Sequence, residues 1–145
     1  MIEIISHRGN VEGTSDFENS PRLVLETLKN FKVEIDVWYS YEGWYLGHDK
    51  PKYKVDFSFF NDKMFLHCKN LTAVENLAGS NLNWFWHQTD TLTVTSKGNI
   101  WCYPETYVDG GITVYRGNSF VEFEKNIEGI CTDYPSAARE YYYGL

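Results

Sequence analysis

Ile2-Glu3-Ile4-Ile5-Ser6-His7-Arg8-Gly9 begins with a short apolar run and closes on a basic pair and a glycine. That is the pattern of a buried strand whose C-terminal end opens into a loop. Ser20-Pro21 then supplies an N-cap and a proline at the first helical position, and Leu23, Val24, Leu28 and Phe31 follow at helical spacing. Val33 to Trp38 alternates apolar and polar residues and is rich in β-branched side chains, which predicts a second strand.

The same reading continues along the chain. Glu42-Gly43 is a turn and Trp44 to Leu46 a returning strand, whereas Phe57 to Phe60 is a loop or a single helical turn. Met64 to His67 is a strand and Leu71 to Leu77 a short helix with Leu71, Val74 and Leu77 on one face. Beyond Trp84 the spacing tightens. Trp84 to Trp86, Thr91 to Thr95, Ile100 to Tyr103, Ile112 to Tyr115 and Gly129 to Cys131 are strands separated by intervals too short for full helices. About eight parallel-type strands against two or three helices before a C-terminal tail is too few helices for an ordinary eight-fold barrel, which takes roughly 250 residues. The expected fold is therefore α/β, a reduced TIM-type (β/α)8 barrel with several crossover helices shortened or missing, as one domain over residues 1–145.

Composition narrows the function. A formal net charge of −7 excludes a general affinity for polymeric nucleic acid, which rests on Lys and Arg neutralising phosphates. Cys68, Cys102 and Cys131 are odd in number and lack CxxC spacing, so neither a disulfide framework nor a structural zinc knot is expected. The N-terminus, with Glu3 in a very short apolar run, is unlike a secretory signal, and no apolar window has membrane-spanning length. A cytoplasmic protein without a membrane span is expected, its oligomeric state left open.

Glu34 and Asp36 stand two apart on a predicted strand, so both side chains share one face at about 7 Å along the chain. Either that face lies in water or something positive sits between the carboxylates. A hard cation such as Mg²⁺ or Ca²⁺ meets the second case. His7, His48, His67 and His87 all fall at predicted C-terminal strand ends, the rim where parallel barrels build their sites. Trp86, His87 and Tyr103 place aromatic and hydrogen-bonding groups near further strand ends. They suit either a sugar or nucleobase contact or a core aromatic cluster capped by His87.

In this order, His7-Arg8-Gly9, Glu18-Asn19-Ser20, Glu34-Ile35-Asp36-Val37, Gly47-His48-Asp49, a strand ending at Lys69 and a closing Thr132-Asp133-Tyr134-Pro135 resemble the glycerophosphodiester phosphodiesterase family over nearly the whole chain. The resemblance implies a TIM-type barrel, a divalent metal and metal-dependent hydrolysis of a glycerophosphodiester or similar small-molecule ester, an activity of lipid metabolism. Carried over by position, His7 and His48 are general acid and base, Arg8 and Lys69 bind the substrate phosphate, and Glu34 and Asp36 bind the metal. Glu18 either supports the first loop or stands behind the metal ligands, and Asp133 ties the last strand to the first loop. Two departures stand out. The family's third metal carboxylate is replaced by His67, which either joins the metal and shifts its identity from Mg²⁺ or Ca²⁺ towards Mn²⁺ or Zn²⁺, touches the phosphate, or marks a weakened site. The segment that usually covers the substrate after the His-Asp step is reduced to Lys50 to Asp56, predicting an open cleft. A non-catalytic phosphate-ester-binding module on the same barrel is the alternative.

Overall fold

A computed structural model of the protein describes residues 1–145. Ten strands form: β1 (Glu3–His7), β2 (Lys32–Ser40), β3 (Gly43–Leu46), β4 (Tyr53–Val55), β5 (Met64–Cys68), β6 (Asn83–Trp86), β7 (Leu92–Val94), β8 (Ile100–Cys102), β9 (Gly111–Tyr115) and β10 (Gly129–Thr132). Three short helices accompany them: α1 (Pro21–Thr27), α2 (Leu71–Leu77) and α3 (Pro135–Tyr143).

Strands β6, β5, β2, β1, β10, β9 and β8 run parallel in that spatial order. The remaining three are antiparallel: β3 pairs with the far half of β2, β4 with β3, and β7 with β8. No strand ladder joins β6 to β7; a Ser96 N–H donates to the Trp84 carbonyl at 2.8 Å and the Thr93 hydroxyl to the Trp86 carbonyl at 3.0 Å.

This corrects the expected (β/α)8 barrel. The sheet is a mixed half-barrel of ten strands, and helices cross over only between β1 and β2 and between β5 and β6. The physical reason is chain length. Between β8 and β9 only a turn-rich connection intervenes, and the segment from Gly43 to Val55 spends its residues on an antiparallel extension of β2 instead of a helix. No helix is long and apolar enough to cross a membrane.

Helices α1 and α2 start where a side chain satisfies an orphan N–H. Ser20 Oγ accepts from the Leu23 N–H ahead of Pro21, and Asn70 Oδ1 accepts from the Ala73 N–H. Helices of seven residues are too short to persist alone, so burial holds them. Val24 of α1 and Leu28 at its C-cap, with Ala73 and Leu77 of α2, cover Val33, Ile35, Val37, Leu66 and Cys68 on the outer face of the sheet. Ala138 of α3 covers Ile130.

The inner face carries a separate cluster: Ile5, Phe65, Phe85, Trp101, Ile112 and Cys131. Because side chains alternate along a strand, the residues two positions further on point the same way, one layer higher. They are His7, His67, His87, Tyr103, Val114 and Asp133. The apolar cluster is thus the floor of whatever those residues build.

Phe85 is fully buried at the centre of that floor, stacked on His67 at 4.8 Å between ring centroids and on Trp101 at 4.7 Å. Phe85→Ala is expected to cost about 3–5 kcal/mol, read as a lowered urea midpoint. A loss below about 1 kcal/mol would mean that the floor does not support the layer above it.

Candidate functional site

Strand β2 turns Glu34 and Asp36 inward, where they are 3% and 1% exposed. A buried carboxylate needs partners, and here the supply is uneven. Asp36 Oδ2 accepts from Asn19 Nδ2 at 2.9 Å and lies 3.2 Å from Arg8 Nε, while its backbone N–H donates to Asn19 Oδ1 at 3.0 Å. Glu34 Oε2 lies 3.4 Å from His7 Nε2. The other oxygen of each, Glu34 Oε1 and Asp36 Oδ1, is buried without a hydrogen bond. Burial, reinforced by the Asp36 charge, pushes the Glu34 carboxyl up. Burial also opposes ionisation of Asp36, whereas Arg8 and Asn19 favour its carboxylate.

His67 completes the group. Glu34, Asp36 and His67 each offer one ligand atom, and these atoms lie within 4.8 Å of one another. His67 Nε2 lies 2.8 Å from the His87 carbonyl, which only accepts, so Nε2 carries the proton. Nδ1 then faces Asp36 Oδ1 at 3.3 Å with no aligned hydrogen bond. A neutral ring directs a bare lone pair at a carboxylate there, an arrangement that a cation between them stabilises. Two orphaned carboxylate oxygens and one imidazole nitrogen are a fitting donor set for a divalent cation.

His7 is held from its other side. Nδ1 donates to Asp133 Oδ1 at 3.0 Å, leaving Nε2 towards Glu34. Burial disfavours the imidazolium, but the Asp133 hydrogen bond and the Glu34 charge outweigh it and raise the His7 value. Burial likewise opposes the Asp133 carboxylate, and the His7 bond outweighs it to lower that group. Asn10 Nδ2 bridges Glu18 Oε2 and Asp133 Oδ1 at 3.1 and 2.9 Å. Arg8 Nη1 donates to Glu18 Oε1 at 2.9 Å. The turn after β1 puts Arg8 at φ +60° and Asn19 at φ +65°, left-handed conformations of a kind that cost about 1–3 kcal/mol each for non-glycine residues. The Arg8 carbonyl accepts from the Asn19 N–H, which fixes the two residues on either side of Asp36.

Above this network lies an open cleft of ≈590 Å³, and all four histidines of the chain line it. His48 sits at its rim, 42% exposed, with Nδ1 2.8 Å from Asp49 Oδ1. Its loop is anchored to β2: Gly47 N–H donates to the Asp36 carbonyl and Trp38 Nε1 to the Gly47 carbonyl. Gly47 has φ +155°, and a Cβ there would meet the Lys50 carbonyl at 2.1 Å, so glycine is required.

The remaining predicted residues divide. Lys69 lines the cleft, half-buried, whereas Arg8 lines it with its guanidinium already engaged by Glu18 and facing Asp36. His87 and Tyr103 form an edge-to-face pair at 5.9 Å on the opposite wall, beside Arg116. Trp86 is a correction. It alternates with Phe85 and His87 and so points to the outer face, against the apolar layer under α2. The Lys50 to Asp56 segment is also not a bare connection, since Tyr53–Val55 forms β4.

Asn10, Asn19 and Arg116 were not singled out by sequence reasoning. Asn19 had a signal, its place in Glu18-Asn19-Ser20, but Asn10 and Arg116 act through partners distant in the chain. Asp133, expected to tie the last strand to the first loop, also orients His7. No family model, curated protein or solved structure matches this chain.

His7 is expected to titrate above an ordinary histidine, and Asp133→Asn to bring it down, because burial then meets less opposition. The raised value makes the His7 contribution to stability full below an unfolded pKa of about 6.5 and lost as pH rises through the folded value. Ring-proton NMR against pH reads both chains; an unchanged His7 value in Asp133→Asn would refute the coupling.

Proposed function

We propose that the protein is a phosphoric diester hydrolase acting on a small-molecule phosphodiester, either a glycerophosphodiester or a sugar or nucleoside phosphodiester, in the cytoplasm. The observation that carries this is the shared arrangement of His7 and His48. Both line one cleft, and each has Nδ1 against a carboxylate, leaving Nε2 as the nitrogen that moves a proton.

Diester hydrolysis needs a proton taken from the entering oxygen and one given to the leaving oxygen. His7, biased towards its imidazolium by Asp133 and Glu34, suits donation from Nε2. His48, at the exposed rim, suits acceptance from the entering oxygen, whether that belongs to water or to a neighbouring substrate hydroxyl; a cyclic phosphate product identifies the second route. Glu34, Asp36 and His67 would hold a divalent cation, which supplies positive charge to the phosphoryl oxygens when bound. Lys69 adds a cation to the same cleft, and Arg8 holds the carboxylates in place. Three free, buried cysteines suit a reducing compartment.

Hydrolysis of a chromogenic phosphodiester with a panel of divalent salts tests the reading. His7→Ala and His48→Ala should each lower the rate by about 10²–10⁴-fold, and a chelator should abolish it. Activity indifferent to His7 and to metal would overturn the proposal. Saturable phosphate-ester binding without turnover under any metal would identify a binding module instead.

A further inference from the structure

We propose that Glu34, Asp36 and His67 form a two-oxygen, one-nitrogen centre that selects a first-row transition ion, Zn²⁺, Mn²⁺ or Fe²⁺, over Mg²⁺ and Ca²⁺, with His67 Nδ1 as the selecting ligand. It rests on the reading that this cluster holds a cation, but not on the reaction assigned to the cleft.

The first argument is donor count. Asp36 Oδ2 is occupied by Asn19 and faced by Arg8, and Glu34 Oε2 faces His7. What remains is Asp36 Oδ1, Glu34 Oε1 and His67 Nδ1, three atoms. Ca²⁺ takes 6–8 oxygen ligands, and Mg²⁺ keeps several waters beside one or two carboxylates, so neither calls on a nitrogen donor. Three protein donors that include an imidazole, with open positions, are the pattern of transition-metal sites.

The second is the direction of the imidazole. The His87 carbonyl fixes the Nε2 proton, and stacking on Phe85, with ring planes 14° apart, fixes the ring. An outer carbonyl partner of this kind orients metal-bound histidines and raises their donor strength. An imidazolium paired with Asp36 would account for less. It would leave Glu34 Oε1 without a partner, and the 3.3 Å contact to Asp36 Oδ1 is not aligned as a hydrogen bond.

The third is charge. The hydrogen-bonded network holds four carboxylates, Glu18, Glu34, Asp36 and Asp133, against one guanidinium, Arg8, and one histidine, His7. A divalent cation at the two buried oxygens brings that sum close to neutral.

The test is calorimetric titration of the whole chain with Zn²⁺, Mn²⁺, Mg²⁺ and Ca²⁺ chlorides, alongside His67→Glu and ¹⁵N NMR of the histidine rings. The wild type should bind Zn²⁺ and Mn²⁺ far more tightly than Mg²⁺ or Ca²⁺. His67→Glu should narrow that preference by at least about tenfold. Zn²⁺ should shift the His67 Nδ1 resonance while Nε2 stays protonated. Because oxygen-only sites also favour Zn²⁺, the decisive quantity is the change in preference. An unchanged ratio in folded His67→Glu, or Zn²⁺ binding that leaves His67 Nδ1 unmoved, overturns the selectivity with the metal site intact. Failure of all four ions to bind the wild type overturns the metal site itself.

Discussion

Two carboxylates buried side by side on the inner face of β2 are the constraint around which this protein is organised. Glu34 and Asp36 lose their hydration on folding, and their mutual repulsion adds to that cost. The chain answers with groups from three separate segments: Arg8 and Asn19 from the first loop, His7 from the end of β1, and His67 from β5. Asp36 also acts through its backbone, accepting from Gly47 and donating to Asn19. One residue therefore joins the loop that carries Arg8 to the loop that carries His48. Removing the carboxylates would release Arg8, His7 and His67 from β2 and leave the backbone bonds to Gly47 and Asn19 in place.

The aromatic floor makes those interactions matter. Phe65, Phe85 and Trp101 exclude water from beneath the polar layer, and electrostatic attraction is stronger where the surroundings are less polarisable. Each floor residue lies two positions before a residue of the layer above, so strand alternation puts His7, His67, His87 and Asp133 on the face that the floor occupies. The strained turn at Arg8 is tolerable because the Glu34 carbonyl, the Asn19 N–H and the Glu18 carboxylate determine it from three directions.

What the sequence disclosed was what is local. An apolar run identified β1 and alternation β2, Met64 to His67 was read as a strand, and Ser20-Pro21 marked a helix start, all of which the structure confirms. It did not disclose strand direction. Trp44 to Leu46 has the same apolar character whether it runs parallel or antiparallel to β2, and only pairing decides. Tyr53–Val55 lacked a signal because a three-residue edge strand with Lys54 at its centre reads as connection. The C-terminal segment, taken as a tail, is α3. Its nine residues include three consecutive tyrosines that weaken the pattern, although Pro135 at the start and Gly144 at φ +69° beyond the end bracket it. The inward turn of Glu34 and Asp36 was an open choice from spacing alone, since strand alternation gives a shared face but not which side is buried.

The same limit applies to the histidines, which differ in the structure by partner rather than by position. All four reach one cleft from strand ends, so sequence placement treats them alike. Their second nitrogens differ. His7 and His48 each have a carboxylate at Nδ1, which leaves Nε2 as the nitrogen open to other partners. His67 has a neutral carbonyl at Nε2 and turns Nδ1 towards Asp36 Oδ1, a buried oxygen without a hydrogen bond. His87 gives Nε2 to the Asp90 carbonyl and contributes mainly its own backbone oxygen, the group that fixes His67. A carboxylate or a carbonyl behind a ring can orient a proton-transferring or a metal-binding histidine alike, so what separates these rings is what the other nitrogen faces: Glu34 for His7, Asp36 Oδ1 for His67 and the exposed rim for His48.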